Sequence, residues 1–157
     1  MVSLDFFKQE DFAALNYALD ENQKQYTSTV EQALERIKER NDPKAFAMTV
    51  FENQQPSGFF VLDFGDDKFE LTDNNKSVLL RSLSINPILQ GKGIGKAAMQ
   101  IVDEFVKNNF PGCDEIVLAV NQKNGSAYHI YLQTGYLYDG KSRMGRSGPQ
   151  YLMYKKL

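Results

Sequence analysis

Three glycines fall within five residues at Gly91-Lys92-Gly93-Ile94-Gly95, and Lys96 follows directly. Residues of these types, so spaced, bind anions. Without a Cβ the chain can approach a phosphate closely, and consecutive amides can converge on its oxygens. If the loop opens a helix, the first helical amides have no internal partner and the helix dipole is positive there. Lys92 and Lys96 add charge beside them. The chemistry on offer is a phosphate cradle.

The flanking elements are those such a cradle needs. Ser77–Ile85 reads as a strand, with Val78, Leu79, Leu80, Leu83 and Ile85 as apolar β-formers. Downstream, Ile94, Ala97, Ala98, Ile101, Val102, Phe105 and Val106 recur at intervals of three and four, the stripe of an amphipathic helix. Spacing then separates the kinds of cradle. A P-loop requires Ser or Thr after its lysine, whereas Ala97 follows Lys96. The dinucleotide fingerprint places its third glycine three residues after the second, whereas Gly95 follows Gly93 by two. A nucleotide-binding oxidoreductase is disfavoured on that ground.

Gln90-Gly91-Lys92-Gly93-Ile94-Gly95 instead resembles the Gln/Arg-x-x-Gly-x-Gly/Ala loop of the GNAT superfamily of N-acetyltransferases. Leu83-x-Ile85-x-Pro87-x-x-Gln90 looks like that family's fourth strand running into the loop. A second stretch, Asn124-Gly125-Ser126-Ala127-Tyr128-His129-Ile130-Tyr131-Leu132-Gln133-Thr134-Gly135-Tyr136, is similar to the family pattern Asn-x-x-Ala-x-x-hydrophobic-Tyr-x-x-x-Gly-aromatic. Read plainly, Asn124 caps a short helix and Gly135 ends it. The resemblance is strong from Ser77 to Tyr138 and only topological over the first seventy residues. Two motifs in the right order are far harder to obtain by chance than either alone.

The resemblance implies an α/β (α+β) fold in one domain over residues 1–157. It implies a mixed central sheet of about seven strands flanked by about four helices, splayed between the fourth and fifth strands. The acetyl-coenzyme A co-substrate inserts in that gap. Backbone groups of Leu83, Ser84 and Ile85 would bind the pantetheine arm and polarise the acetyl carbonyl. Fixed donors suit that role, because amine attack on a thioester builds negative charge on oxygen. Gln90, Gly91, Lys92, Gly93, Ile94, Gly95 and Lys96 would form the pyrophosphate loop, Asn124 would contact the pantetheine arm, and Tyr131 would protonate the departing thiolate. The bland alternative for Tyr131 is a core aromatic with a satisfied hydroxyl.

A primary ammonium, with a pKa of about 10.4, must lose a proton before it can attack. Glu70 and Glu115 are weak candidates for a base, and a water chain could serve without either. His129, the only histidine, falls on another side of the helix from Tyr131 and reads as a surface residue. Cys113, the only cysteine, has no histidine near it in sequence, which argues against a cysteine nucleophile. No His/Cys/Asp/Glu spacing suggests a metal.

Over the rest of the chain, the pattern predicts a first strand at Val2–Phe6 and a helix capped by Asp11 carrying Phe12, Leu15 and Leu19. Residues Asn22–Tyr26 are polar and read as a loop or a frayed turn. A second helix follows a Ser28 or Thr29 cap and ends at Asn41-Asp42-Pro43. Strands are expected at Ala45–Phe51 and Gly58–Leu62 around the turn Asn53–Ser57, then at Glu115–Val120. Lys141–Gly148 reads as a glycine-rich turn before a last strand, Tyr151–Lys155.

A chain of 157 residues with 42% hydrophobic content suits one globular domain with a real core. Its formal charge of −2 argues against a broad nucleic-acid surface. No run approaches the about 20 apolar residues of a membrane span, and the first residues lack the features of a secretory signal. The expected setting is the cytoplasm, with monomer or homodimer left open. The expected acceptor is a small primary amine. Asp63, Asp66, Asp67, Glu70 and Asp73 lean faintly towards a polyamine or other cation, although such runs are more often solvated turns. A non-catalytic acyl-coenzyme A sensor and a protein N-acetyltransferase are the competing readings.

Overall fold

The computed structural model describes residues 1–157. Its strands are β1 (Val2–Phe6), β2 (Ala45–Glu52), β3 (Gln55–Asp63), β4 (Ser77–Ile85), β5 (Glu115–Asn121), β6 (Leu137–Gly145) and β7 (Gly148–Lys156). They form one sheet in the order β1-β2-β3-β4-β5-β7-β6. Only β4 and β5 run parallel. A parallel pair needs a long crossover, and here it is α4 (Ile94–Asn109). The other helices are α1 (Phe12–Leu15), α2 (Glu21–Tyr26), α3 (Val30–Arg40) and α5 (Gly125–Gln133).

Both faces of the sheet are covered. Along β3, Phe60 and Leu62 join the core that holds Ala98, Met99, Val102 and Val106 of α4. The alternate residues Phe59 and Val61 pack on the other face with Leu15 of α1 and Val30 and Ala33 of α3. A strand buried on both sides is apolar at every position, which is why β3 and β5 read as continuous hydrophobic runs.

Four expectations need correction. The first helix is a single turn that stops at Leu15, because Asn16 leaves the helical region with ψ 50°. Leu19 is nevertheless buried, so its apolar character served the core and not a helical stripe. Residues 22–26 are helical, not a loop: Asp20 caps α2 by accepting from the Gln23 amide at 2.8 Å. Polarity concealed this helix because none of its residues is buried. The C-terminal hairpin is longer than expected, with β6 running through Lys141–Gly145 and a turn of only Arg146 and Ser147.

The β2–β3 turn is also tighter, since Glu52 pairs with Gln55. Asn53 and Gln54 carry φ of 49° and 69°, the mirror-image turn that matches strand twist. Pro56 is accommodated in β3 beside a register shift between Val50 and Phe51.

Candidate active site

β4 and β5 pair only at Ser77–Leu79 against Glu115–Val117, then part. Beyond that point β4 stays with β3 and β5 stays with β7. The gap is a cleft of about 500 Å³. Its β4 wall is shaped by an irregularity: Phe59 faces Ser84 but Val61 faces Arg81, so β4 carries an extra residue. Ser82, at φ 60°, takes up the strain. The wall is then fastened from outside the sheet. The Tyr17 hydroxyl lies 2.8 Å from Ser84 Oγ and 3.2 Å from the Ser84 carbonyl. Burial pushes the Tyr17 phenol up to about 12, against a smaller opposing effect of the Ser84 bond. Gln23 Nε2 and Gln90 Nε2 both donate to the Ile85 carbonyl, at 3.0 and 3.4 Å.

The glycine loop closes one end of the cleft. Gly93 caps α4 at φ 79°, and Gly91 has the same φ. A Cβ at either would meet nothing within 4 Å, so the space beside this backbone is open. None of the amides from Gly91 to Lys96 has an acceptor among the turn, loop and cap hydrogen bonds of the chain. Six consecutive amides thus lie at the start of a sixteen-residue helix with nothing to donate to. A diphosphate fits such a surface. Gln90, Gly91, Gly93, Ile94, Gly95 and Lys96 line the cleft; Lys92 does not and is exposed.

Leu83, Ser84 and Ile85 line the β4 side, and Asn124 and Tyr131 line the β5–α5 side. Asn124 caps α5, its Oδ1 accepting from the Ala127 amide at 3.4 Å. Tyr131 is 7% exposed, stacks edge-on with Tyr136 at 5.5 Å, and makes no hydrogen bond through its hydroxyl. Burial raises its phenol well above the ordinary value. The structure therefore brings every sequence-predicted residue to one cleft except Lys92.

The candidate bases fare differently. No Asp, Glu or His lines the cleft. Glu115 is buried at the start of β5, paired with Lys156 at 2.8 Å and bonded to Thr72, far from the parted ends. Glu70 sits in an adjoining recess and pairs with Arg143 at 2.7 Å. His129 is exposed, and Cys113 is buried and free. Burial, the largest effect, pushes the Cys113 thiol up, which further disfavours a thiolate. No group of three His, Cys, Asp or Glu is placed to hold a metal ion.

Sequence reasoning missed Tyr17, Gln23 and Thr27. Gln23 Oε1 and Thr27 Oγ1 are buried without a partner beside the cleft. Buried polar atoms of this kind are normally satisfied, by a ligand or ordered water where not by protein. The only local signal was the Asp20 cap three residues before Gln23.

This architecture is shared with acetyltransferases of known structure. The protein AAC(6')-Ib, solved with paromomycin and acetyl-coenzyme A, superposes with a TM-score of 0.80 at 19% identity, over 99% of this chain and 93% of that one. Spermidine N-acetyltransferase from Vibrio cholerae, solved with coenzyme A and spermine, gives 0.71 at 19% identity, over 99% and 95%. The chain belongs to the acetyltransferase (GNAT) family, whose model matches residues 12–136. A relative from Bacillus subtilis strain 168, the uncharacterized N-acetyltransferase YbbJ, is 34% identical over 155 residues, 98% of this chain and 96% of its own.

Proposed function

We propose that the protein transfers the acetyl group of acetyl-coenzyme A to a primary amine of a small molecule, directly, in a ternary complex. The observation that carries this reading is the row of free amides at Gly91–Lys96 opening onto the gap between β4 and β5. Family membership supports it, as do the coenzyme A complexes and amine ligands of the two structural neighbours.

When bound, acetyl-coenzyme A supplies an acyl thioester. The amides from Gly91 to Lys96 hold its pyrophosphate, with Lys96 adding charge and Gln90 bracing the loop against Ile85. Lys92, exposed outside the cleft, contributes its backbone amide and long-range attraction. The β4 backbone at Leu83, Ser84 and Ile85 orients the pantetheine arm and donates to the carbonyl oxygen as negative charge develops there. Asn124 steadies the arm from the opposite wall. The neutral amine nitrogen forms the new C–N bond as the C–S bond breaks with its electron pair on sulfur. Tyr131 gives its proton to that sulfur, and the proton lost from the nitrogen leaves through water and restores the phenol.

A buried phenol is a poor acid towards water. Burial around Tyr131 disfavours a thiolate there as well, so the raised phenol opposes the transfer less than it would in water. With no carboxylate or imidazole on the cleft wall, a water chain is the route that deprotonates the amine.

Three of the acidic residues that leaned towards a polyamine are engaged within the protein, and the other two, Asp66 and Asp73, are exposed and line neither the cleft nor the adjoining recess. Asp63 and Asp67 pair with Arg81, Asp67 also with Arg40, and Glu70 with Arg143. The reading therefore rests on a primary amine without a cationic preference. No helix is long and apolar enough to cross a membrane, and with a free, buried Cys113 a reducing cytoplasm is the simplest setting. The test is thiol release from acetyl-coenzyme A against a panel of amines. Release that requires an amine is the expected result; binding without release under any amine would favour the acyl-coenzyme A sensor.

A further inference from the structure

The cleft continues into a second recess of about 410 Å³ between the end of α2 with the α2–α3 connection and the β6–β7 turn. The two share Tyr26, Thr27, Arg81, Ser82, Asn121 and Gln150 as walls. None of Gly91–Lys96 reaches this recess, so it lies on the acceptor side and not on the phosphate side. Its charged lining is Arg36, Arg81, Arg143, Arg146 and a single acid, Glu70.

Ion pairs account for only part of that charge. Arg81 is held by Asp63 and Asp67 at 3.2 and 2.8 Å, and Arg143 by Glu70 at 2.7 Å. Arg36 and Arg146 have no acidic partner within ion-pair distance. Arg36 and Arg146 also line a neighbouring groove with Glu35 and Glu39, and neither arginine pairs with either acid. Arg36 is partly buried on α3, while Arg146 projects from the hairpin turn above it. Burial first, then the guanidinium groups of Arg81, Arg146 and Arg40, push Arg36 below the ordinary arginine value. Like charges gathered around a partly desolvated guanidinium are unfavourable by themselves and become favourable when an anion joins them.

We infer that the acetyl acceptor is a primary amine that also carries an anionic group, a carboxylate or a phosphate, which Arg36 and Arg146 hold while the amine reaches the parted strands. The inference rests on the transferase reading and adds to it the class of acceptor. Arginine suits this task because its planar fork meets carboxylate and phosphate oxygens in pairs. The anion sets which amines enter; the shared walls at Thr27 and Asn121 lead the nitrogen towards the cleft.

The test compares matched amines in the thiol-release assay: amino acids with their methyl esters, O-phosphoethanolamine with ethanolamine, and spermidine. An amine bearing its anion should exceed its uncharged congener by at least about tenfold in kcat/KM. Preference for amino acids identifies a carboxylate acceptor, and preference for O-phosphoethanolamine a phosphate one. Arg36→Gln and Arg146→Gln should each raise KM for that amine about tenfold, with kcat nearly unchanged and acetyl-coenzyme A affinity unaltered. Release with none of the anionic amines, preference for spermidine or the esters, or unchanged KM in both variants would overturn the inference. Absence of acetyl-coenzyme A binding is a separate result that removes the transferase reading itself.

Discussion

Tyr131 combines three properties seldom found together: a buried ring, a hydroxyl without a partner, and a place on the cleft wall. A structural tyrosine of this burial normally finds a hydrogen-bond partner. Tyr131→Phe keeps the ring and removes only the proton. Turnover should fall about 100-fold while acetyl-coenzyme A affinity stays within a factor of about two. The raised phenol also fixes a sign. Tyr131 stays protonated through the alkaline range, so kcat/KM should climb with pH towards the pKa of the amine and show no descending limb from Tyr131 below about pH 10. A pH–rate profile checks it, and a fall in rate between neutral pH and pH 9 would contradict it. At this scale most of the site was legible, because Gly91, Gly93, Gly95, Asn124 and Tyr131 stand in local patterns. Tyr17 and Gln23 were not. Their partners, Ser84 and Ile85, lie 67 and 62 residues away, and no short-range spacing encodes such a contact.

Among the elements, α3 has a structural and a functional duty, since it packs Val30 and Ala33 against β3 and carries Arg36. Its start is fixed by a capping box. Thr29 Oγ1 accepts from the Gln32 amide at 3.1 Å, and Gln32 Oε1 accepts from the Thr29 amide at 2.9 Å. Thr29→Ala leaves that amide end without its side-chain acceptor and should cost about 1 kcal/mol, lowering the Tm by about 2–4 °C. Differential scanning calorimetry measures the shift; an unchanged Tm would mean that packing alone holds the helix start. Amphipathic α3 and α4 announced themselves through their apolar stripes. By contrast α2, which buries no residue, and β6, which is exposed along most of its length, gave no such signal. Burial pattern is what made elements readable, and those two elements have little of it.

For the molecule as a whole, neighbouring strands pair along most of their length, apart from local register shifts, whereas β4 and β5 part after three residue pairs. The acidic connection after β3 helps to hold that frame. Asp67, bonded to Arg81 and then Arg40, has its carboxyl held below the ordinary range, with burial opposing in part. A depressed carboxyl contributes stability that is complete above the unfolded pKa of about 3.9 and is lost as pH falls through the lower folded value. The wild type should therefore lose Tm below about pH 4 more steeply than Asp67→Asn. Added salt should shrink the difference, because Asp67 is partly exposed. Equal acid slopes in thermal melts would show that this pair does not stabilise the fold.

The central claim is that the loop before α4 receives the diphosphate of acetyl-coenzyme A. Calorimetric titration of acetyl-coenzyme A into the wild type and into Gly93→Asp tests it most directly. Aspartate places bulk and negative charge in the open space beside the free amides, at a φ of 79° that side chains rarely adopt. Saturable one-site binding to the wild type, weakened by at least about tenfold in Gly93→Asp while the variant remains folded by circular dichroism, is the predicted result. Equal affinity in the two proteins, or no binding to the wild type, would contradict it.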